Sequence, residues 1–275
     1  MKTVLTIAGY DPSSGAGVTK DLDTFFSQGF HGLSVPTSMV VQGPQGVRNL
    51  YPIPQEQFLS MLRVIEDEVP VDGVKIGVVW DSPYVKGIAK FLKRLGRRPV
   101  VVDPIYMAKN GIRLVTDRGF KSLIKSMFPL ASIITPNVEE ASLITGRGIK
   151  NLDDVRGCAK ALKTFGSQAV VIKGGHMEGE PVDVLYDGKE MTLWKRHRLN
   201  REIHGTGCSF SSLFTAFLVA GYPIREAFFA TEKAMGTAIE KSYPVTRKGG
   251  YYYSSSVIMK AHDAERWAVL GALME

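Results

Sequence analysis

Residues 73–103, GVKIGVVWDSPYVKGIAKFLKRLGRRPVVVD, contain an apolar run, an amphipathic helical pattern and a second apolar run. Ser82 opens the helical pattern and Gly96 closes it, in positions that favour the start and the end of a helix. The runs at 73–76 and 100–103 are apolar without alternation, which is typical of strands covered on both faces. This stretch therefore predicts one strand-helix-strand unit of a parallel sheet.

The same alternation of strand and helix patterns recurs along the chain. Further candidate strands lie at 3–8, 33–41, 132–135 and 169–173. A hairpin is predicted from 183–186 and 190–195, with its turn at Asp187 and Gly188. Two helices follow at about 207–220 and 224–240. We therefore predict an α/β fold of three layers, with a mainly parallel central sheet flanked by helices. No long linker or repeat is visible, so residues 1–275 are predicted to form a single domain.

The C-terminal end is predicted to differ from this pattern. Residues 242–275 are interpreted as a C-terminal extension, in which RKGGYYYSSS, residues 247–256, is expected to be an exposed loop. Residues 257–273 could form a terminal helix. The side chains of Tyr251 to Tyr253 would either stack on a ligand or, as is more common for such a cluster, pack on a neighbouring helix or subunit.

Composition limits the classes of function. A chain of 275 residues that is 44% hydrophobic can bury a substantial core. The formal charge of +7 and the pI of about 9.3 would suit nucleic acid, but the basic residues are dispersed and their densest clusters are only 93–98 and 195–198. We expect no nucleic-acid partner, because an anionic nucleotide or phosphate substrate explains the excess charge equally well.

Location is predicted from the cysteines and the apolar runs. Cys158 and Cys208 have no metal-type spacing and no disulfide framework, which suits a reducing compartment. No run reaches the roughly 18 apolar residues of a membrane span, and the N-terminal MKTVLTIAGYD turns polar too early for a secretory signal. The expected location is the cytoplasm, without a membrane partner.

HGTGCSFSS, residues 204–212, is the strongest candidate site. Two glycines flank a threonine directly before an apolar helix, and the unpaired N–H groups of a helix start bind anions such as a transferred phosphoryl group. Cys208, at that helix start, is expected to have a lowered pKa and to accept a proton from an attacking hydroxyl. A tight turn without chemistry and a small buried thiol are the alternatives. GxxxxGK[ST] is absent, which excludes a P-loop.

Three further clusters follow predicted strands. In 134–141, ITPNVEEA, Glu139 or Glu140 could hold Mg²⁺ through water together with Asn137, or both acids could simply favour the helix dipole. In 101–111, VVDPIYMAKNG, Asp103 is a candidate metal or phosphate-site acid, and the loop with Lys109 is a candidate lid.

The last of these clusters is 171–176, VIKGGH, where Lys173 could pair with nucleotide phosphates or be a solvated charge. Near the N-terminus, residues 8–22, AGYDPSSGAGVTKDL, lack the spacing of a dinucleotide-binding loop. Their glycines instead make room for a flat substrate, and Asp21 is expected within reach of its polar edge.

Taken together, these motifs resemble the hydroxymethylpyrimidine and phosphomethylpyrimidine kinases of thiamin biosynthesis, within the ribokinase-like superfamily. The resemblance covers about residues 6 to 239, through the blocks TIAGYDPSSGAG (6–17), VKIG (74–77), VVDPIYMAKNG, ITPNVEEA, VIKGGH and HGTGC (204–208), in the family's order and spacing. It implies ATP as donor, Mg²⁺ as activator, and Cys208 at the position where other ribokinase-like enzymes carry a catalytic aspartate.

The resemblance also implies roles for individual residues. The anion hole would consist of Gly205, Thr206 and Gly207. The residues that hold the nucleotide and the metal would be Asn137, Glu140, Lys173, Asp103 and Lys109. The residues of the pyrimidine pocket would be Gly9, Asp21, Val40, Gln42, Val78, Ile105 and Cys208. Gln42 would pair with the donor and acceptor edge of the ring through its amide. Four residues depart from the family pattern around the substrate: Tyr10, Gly43, Val78 and Tyr106.

The leading hypothesis is an ATP-dependent kinase that phosphorylates 4-amino-5-hydroxymethyl-2-methylpyrimidine and then its monophosphate. A pyridoxine or pyridoxal kinase is the alternative among enzymes, because its flat ring also bears a hydroxymethyl group. A catalytically silent binding protein with the same fold is the alternative of another class. The edge strands and the tyrosine-rich tail favour a homodimer.

Overall fold

The structure is a computed structural model that describes residues 1–175, 180–197, 202–245 and 251–253. Within these residues the chain forms a nine-stranded central sheet with the order β3-β2-β1-β4-β5-β6-β7-β8-β9. Its strands are β1 (Thr3–Tyr10), β2 (His31–Gly43), β3 (Gly46–Pro52), β4 (Gly73–Ile76), β5 (Val100–Val102), β6 (Ile133–Ile134), β7 (Ala169–Ile172), β8 (Val182–Tyr186) and β9 (Met191–Lys195).

The sheet is parallel from β2 to β7 and antiparallel at both edges. Parallel pairs join β2 to β1, β1 to β4, and then β4, β5, β6 and β7 in turn. At one edge β3 pairs antiparallel with β2. At the other edge β8 pairs antiparallel with β7, and β9 pairs antiparallel with β8. The carboxyl ends of six strands therefore meet at one edge of the sheet, where ligands collect in open α/β folds.

Eight α-helices cover the sheet in the described part of the chain. They are α1 (Gly17–Ser27), α2 (Gln55–Glu68), α3 (Ser82–Leu95), α4 (Asp117–Met127), α5 (Val138–Thr145), α6 (Leu152–Lys163), α7 (Thr206–Ala220) and α8 (Ile224–Glu240), with a 3₁₀ helix at Phe128–Leu130. No helix among the described residues is long and apolar enough to cross a membrane.

Two apolar cores lie on opposite faces of the sheet, which confirms the three-layer prediction. Along β5, Val100 and Val102 pack with helices α2 to α6, whereas Val101 packs on the other face with α1, α7 and α8. Successive side chains of a strand point to opposite faces, so a strand between two helical layers needs apolar residues at every position. This is why the unalternating run at 100–103 predicted a central strand.

Strand β3 was not predicted from the sequence. Its residues, GVRNLYP, are mostly exposed or partly exposed, and only Val47 is buried. An edge strand packed on one side lacks the apolar run that identifies the central strands. The predicted hairpin at 183–195 is confirmed as β8 and β9, and helices α3 and α8 begin and end at the predicted residues.

The prediction of an exposed loop at 247–256 is wrong for residues 251–253. These form β12 (Tyr251–Tyr253), which pairs parallel with β10 (Glu202–His204) and antiparallel with β11 (Tyr243–Pro244) in a second, three-stranded sheet. Tyr253 is buried there and its ring lies 5.5 Å from that of His204. Tyr253 therefore packs on its own chain, next to β10, whereas the sequence predicted packing on a neighbouring helix or subunit. The terminal helix predicted at 257–273 lies outside the described residues.

Candidate functional site

The predicted polar residues meet at the carboxyl edge of the sheet. Asp103 follows β5, Asn137 follows β6 and Lys173 follows β7, so three adjacent parallel strands deliver one residue each. Asn137 and Lys173 form an isolated parallel bridge, and the Lys173 amide donates to the Pro136 carbonyl at 2.9 Å. The strand order thus brings together residues that are up to 70 positions apart in the chain.

Asp103 and Lys173 form a buried ion pair at the centre of this edge. The Lys173 ammonium lies 2.8 Å from Asp103 Oδ1, which also accepts from the Thr135 hydroxyl at 3.2 Å. The second carboxylate oxygen accepts from Ser211 Oγ at 3.4 Å. Because Ser211 belongs to α7, this carboxylate joins the strand ends to the helix that follows the HGTGC turn.

The HGTGC turn itself lies against this ion pair. A Cβ atom placed on Gly207 would stand 3.5 Å from Lys173 Nζ and 3.8 Å from Asp103 Oδ2. The turn therefore lies within ordinary contact distance of the paired charges. Two motifs that the sequence predicted separately, the turn and the strand-end lysine, are parts of one site.

Helix α7 begins at this point with the geometry of an anion site. Gly205 has φ 81°, in the left-handed region that favours glycine, and it reverses the chain between β10 and α7. The first helical hydrogen bond runs from the Ser209 amide to the Gly205 carbonyl at 2.9 Å, so the amides of residues 206–208 precede the helical ladder. The first turn of α7 contains no acidic residue, and the helix start is therefore electropositive.

Cys208 lies at this helix start, but the lowered pKa expected for it is wrong. The thiol is buried, and burial raises its pKa to about 11, assisted by the carboxylates of Asp21 and Asp103. The ammonium of Lys75 and a backbone hydrogen bond at Gly17 act in the opposite direction and do not compensate. Desolvation of the thiolate outweighs the helix terminus, so the resting group is a neutral thiol.

Asp21 has partners within the protein. Its carboxylate lies 2.8 Å from the Lys75 ammonium and accepts from the hydroxyls of Thr6 at 2.6 Å and Ser212 at 2.8 Å. Asp21 and Lys75 are both fully buried. The Asp21 carboxylate is thus engaged in an internal ion pair, and its expected place within reach of the polar edge of a substrate stays a prediction.

Lys75 was missed as a site residue, although the sequence contains the signal. It interrupts the apolar run of a strand predicted to be covered on both faces, where a lysine must find a buried partner. Burial alone would lower the pKa of its ammonium, but the carboxylates of Asp21 and Asp103 outweigh burial and raise the pKa.

Glu140 and Asn137 form a capping box at the start of α5. Asn137 Oδ1 accepts from the Glu140 amide at 2.8 Å, and a Glu140 carboxylate oxygen accepts from the Asn137 amide at 2.9 Å. Burial raises the pKa of Glu140 to about 7; Lys173 opposes this shift and Asp103 adds to it. Glu139 is exposed. Glu140 thus stabilises the helix and also faces the charged site.

Apolar residues predicted for a substrate ring lie beside these charges. Val40 and Val78 are buried in a third apolar cluster against which Ile105 packs. A Cβ on Gly9 would stand 2.9 Å from a methyl group of Val40. Gly17 has φ 62°, and a Cβ there would meet the Gly9 carbonyl oxygen at 2.1 Å, so only glycine fits where β1 turns into α1.

The loop predicted as a lid spans the site. Lys109 Nζ donates to the Ile203 carbonyl of β10 at 3.1 Å, and the Asn110 side-chain amide donates to the Val47 carbonyl of β3 at 2.6 Å. The loop is closed on itself by a bridge between Met107 and Arg113. The loop thus lies between the hairpin of β2 and β3 and strand β10, which precedes the HGTGC turn.

A parallel α/β sheet with helices on both faces, a glycine-lined helix start and a lysine among acids at the strand ends define a ribokinase-like small-molecule kinase. The comparisons identify the group within this class. The chain belongs to the phosphomethylpyrimidine kinase family, whose model matches residues 11–252.

Two curated relatives illustrate this membership. The thiamine biosynthesis bifunctional protein ThiED of Geobacter sulfurreducens is 38% identical over 251 residues, which are 90% of this chain and 51% of that protein. The chain thus spans about half the length of that relative. The hydroxymethylpyrimidine/phosphomethylpyrimidine kinase of Aquifex aeolicus is 34% identical over 240 residues, which are 86% of this chain and 94% of that one.

Solved structures agree with the fold. A crystal structure of phosphomethylpyrimidine kinase from Clostridium difficile 630 is 35% identical with a TM-score of 0.78, and the match covers 87% of this chain and all of that chain. An ADP complex of Bacillus subtilis pyridoxal kinase is 32% identical with a TM-score of 0.83, over 93% of this chain and 98% of that one.

Proposed function

We propose that the protein transfers the γ-phosphoryl group of ATP to the hydroxymethyl group of 4-amino-5-hydroxymethyl-2-methylpyrimidine, and then phosphorylates the monophosphate, in thiamin biosynthesis. The observation that carries the proposal is the approach of Gly207 to the ion pair of Lys173 and Asp103. It places backbone N–H groups and a fixed cation around one point, where the charge of a moving phosphoryl group would be stabilised.

The donor would lie on the side of β5, β6 and β7. In this proposal Lys173 moves from Asp103 to nucleotide phosphates, Asn137 contacts the nucleotide, and Lys109 leaves Ile203 to close the loop over it. The resemblance to kinases solved with ADP supports this assignment. Excluding water at this stage would protect the phosphoryl group from hydrolysis.

Mg²⁺ would be held by Asp103 and Glu140. The described residues contain no group of three or more His, Cys, Asp or Glu side chains able to hold a metal ion. Two carboxylates at one sheet edge still fit magnesium, which keeps several waters and takes the remaining oxygens from phosphates. When bound, the ion would supply positive charge beside the transferred group. Ionised Glu140 would favour its binding, and the raised pKa of this residue makes that step dependent on pH near 7.

The acceptor would lie between β1, β2 and the loop after β4. In this proposal the flat ring would lie near Gly9, with Val40, Val78 and Ile105 as its apolar contacts and Gln42 at its polar edge. Asp21 would hold the residues of this pocket in place through its ion pair with Lys75. Cys208 would lie beside the reacting hydroxyl.

In this proposal Cys208 first loses its thiol proton to solvent, and the thiolate then takes the hydroxyl proton, because the neutral resting thiol cannot accept one. Phosphoryl transfer has a loose transition state in which the proton moves late, so positioning and charge stabilisation supply most of the rate. The anion hole of Gly205, Thr206 and Gly207 would therefore contribute more than the thiol. A thiolate would form only as charges at the site change during the reaction.

The proposal is tested by ADP release with Mg-ATP and a panel of alcohols: the aminopyrimidine, its monophosphate, pyridoxine and pyridoxal. We expect the aminopyrimidine to give the highest kcat/KM and Lys173→Met to abolish turnover. Lys189→Met is the matched control, because Lys189 lies in the exposed turn between β8 and β9. Absence of ADP formation with every alcohol would leave only a ligand-binding role for the fold.

A pyridoxine or pyridoxal kinase is the second candidate, favoured by the TM-score of 0.83 with a pyridoxal kinase. Both rings are flat and bear a hydroxymethyl group, so the apolar contacts do not separate them. A kcat/KM for pyridoxal above that for the aminopyrimidine would establish this alternative instead.

Two further expectations complete the proposal. The free, buried cysteines fit a reducing compartment, and we propose the cytoplasm.

We also propose a homodimer through the exposed apolar side chains of the hairpin of β2 and β3. Met39, Val41 and Tyr51 are exposed there, and Met39 lies opposite Tyr51. Light scattering of the protein and of Val41→Lys tests this: a dimer that becomes a monomer is expected, and a monomeric wild type would contradict it.

A further inference from the structure

Asp183 in β8 and Arg196, directly after β9, form an ion pair next to the strand that delivers Lys173. Asp183 is fully buried, and the Arg196 side chain is 18% exposed. The Arg196 backbone amide donates to the Pro181 carbonyl at 3.0 Å, which continues the pairing of β8 with β9. Arg196 belongs to the basic cluster at 195–198, so this member of the cluster is engaged inside the protein.

The Asp183 carboxylate accepts a hydrogen bond at each of its two oxygens. Oδ1 accepts from the Gly174 amide at 2.8 Å, and Oδ2 accepts from the Arg196 guanidinium. Gly174 directly follows Lys173, and a Cβ on Gly174 would stand 2.1 Å from the Val182 carbonyl oxygen. A side chain at this position would therefore push the end of β7 away from β8 and break the bond to Asp183.

The main chain at Lys173 is thus held from both sides. The Lys173 amide donates at 2.9 Å to the Pro136 carbonyl, after β6, and the next amide, that of Gly174, donates to Asp183 in β8. Two consecutive amides are therefore fixed to two different neighbours. The Lys173 side chain can exchange Asp103 for another anion while its Cα atom stays in place.

Helix α8 places a second acid beside this ion pair. Glu232 Oε2 stands 3.4 Å from Arg196 Nη1, and Glu232 is fully buried. Burial and the charge of Asp183 raise the pKa of Glu232 well above its usual value, whereas Arg196 opposes the shift. A protonated Glu232 leaves the guanidinium to neutralise Asp183, so the interior contains one balanced pair of charges.

We propose that Asp183 and Arg196 are positioning residues for the donor phosphates: they fix the main chain beside Lys173 and thereby direct its ammonium towards the nucleotide. A side chain whose backbone is already fixed loses less conformational freedom when it binds a phosphate. This inference rests on the proposed function, because it deepens the role of Lys173 there. It concerns two residues to which neither the motifs nor the resemblance gave a role.

An amide cannot replace the Asp183 carboxylate. A carboxylate has two acceptor ends, whereas the side chain of asparagine has one acceptor end and one donor end. In Asp183→Asn the carbonyl end can accept from Gly174 only if the NH₂ end faces the donors of Arg196. The opposite orientation sets the NH₂ end against the Gly174 amide. In either orientation donors face each other in the interior, and the bond that holds Gly174 is weakened.

Calorimetric titration of the full chain with ADP tests the inference without any acceptor alcohol. We expect Asp183→Asn to raise the Kd for ADP and the KM for ATP by about tenfold, with the KM for the alcohol within about twofold of the wild type. Removing a negative charge would by itself strengthen the binding of an anion. Weaker binding therefore distinguishes positioning from a change in charge.

The double variant Asp183→Asn with Arg196→Met tests the coupling. Without the guanidinium, the asparagine amide can turn its carbonyl end to Gly174. The double variant should therefore bind ADP about threefold or more tightly than Asp183→Asn alone. A loss of positive charge would weaken the binding of an anion, so the two explanations predict opposite signs.

Asp187→Ala is the matched control. Asp187 lies in the exposed turn of the same hairpin and accepts from the amides of Lys189 and Glu190 at 2.8 Å each. This variant should bind ADP like the wild type. A folded Asp183→Asn protein that keeps the wild-type Kd would overturn the inference, as would an equal rise in the KM for ATP and for the alcohol. A wild type that does not bind ADP would instead refute the donor site of the proposed function.

Arg196→Met covers the case in which Asp183→Asn does not fold. Without the guanidinium the Asp183 carboxylate loses its neutralising charge and one of its donors, so the Kd for ADP should rise by about threefold or more. Arg225→Met removes an exposed cation that lies 3.0 Å from Glu190, and it should leave the Kd unchanged. Equal affinities of the two folded variants for ADP would overturn the inference.

Discussion

Single residues at this site owe their properties to burial more than to their place in an element. Cys208 begins a helix, a position that lowers the pKa of an accessible thiol, yet the surrounding apolar atoms and the carboxylates of Asp21 and Asp103 raise it. With a pKa of about 11, fewer than about one molecule in a thousand carries the thiolate at neutral pH.

Alkylation of Cys208 tests this state. We expect iodoacetamide to label it slowly at about pH 7.5, with a rate that rises steadily up to about pH 11, because only the thiolate reacts. Mass spectrometry of the labelled peptide gives the rate, and Cys208→Ser shows how much label the buried Cys158 takes. Fast labelling with a midpoint below about pH 8 would mean that the thiol is activated in the resting protein.

Glu140 gives a second prediction at this scale, from its pKa of about 7 against the usual 4.5. A raised folded-state pKa means that the folded protein binds the proton more tightly than the unfolded chain does. The stability contributed by this proton is complete below about pH 4.5 and is lost as the pH rises through 7. Glu140→Gln keeps a polar side chain at this helix start and removes the buried charge.

Thermal unfolding at a series of pH values measures this effect. The Tm of Glu140→Gln should improve relative to the wild type as the pH is raised from about 5 to about 8. Glu139→Gln, at the exposed neighbouring position, should follow the wild type at every pH. If Glu140→Gln shows a constant difference across the range, Glu140 titrates at its ordinary pKa.

At the scale of elements, the joint between β1 and α1 depends on one glycine. Gly17 combines a positive φ with a carbonyl oxygen 2.1 Å from where a Cβ would stand. Gly221, after α7, also has a positive φ of 107° but no atom within 4 Å of its Cβ position. The left-handed backbone costs about 1–2 kcal/mol at both positions, and the steric overlap adds to that cost at Gly17 alone.

Urea unfolding of Gly17→Ala and Gly221→Ala separates these two costs. Gly221→Ala should lose about 1–2 kcal/mol, and Gly17→Ala at least about 1 kcal/mol more. Equal losses would show that the chain at Gly17 relaxes away from Gly9.

Most central elements could be predicted from the sequence, and the edges could not. The runs at 73–76, 100–103 and 169–173 are apolar on both faces because helices cover both, and this signal is local. By contrast β3 and the pairing of β10 with β12 depend on contacts between distant residues, which leave no periodic pattern in GVRNLYP or YYY.

The site was predicted in the same uneven way. The strand-end residues Asp103, Asn137 and Lys173 were found because parallel strands deliver their last residues to one edge. The partners inside the protein were not found, since the bond of Lys75 to Asp21 does not follow from spacing. The pKa of Cys208 was misjudged because the degree of burial of a helix start cannot be derived from its sequence.

At the scale of the whole molecule, the ion pair of Asp21 and Lys75 joins two neighbouring strands of the sheet to two helices. Its bonds connect α1, β1, β4 and α7, all within the fully buried interior. Lys75→Met leaves Asp21 as an uncompensated buried charge, which typically costs about 3–5 kcal/mol. Removing both charges in Lys75→Met with Asp21→Asn should recover part of this loss.

Chemical denaturation of the two single variants and the double variant measures the coupling. We expect the double variant to be more stable than the sum of the single losses predicts, by about 1 kcal/mol or more. Additive losses would mean that the two side chains do not compensate each other. Arg156→Met with Asp153→Asn, an exposed pair on α6, should show almost no coupling.

The order of strands in the central sheet has a consequence for how such proteins diverge. Gly9 and Gln42, proposed for the acceptor ring, come from the first eighty residues, and Asp103, Asn137 and Lys173, proposed for the donor, come from a later continuous stretch. Helix α3 lies between the two stretches in the chain. A single crossing-over between related genes within this helix would exchange Gly9 and Gln42 and leave the donor residues untouched, while Ile105 and Cys208 would stay with the donor stretch. Part of the substrate range can therefore be inherited in one step.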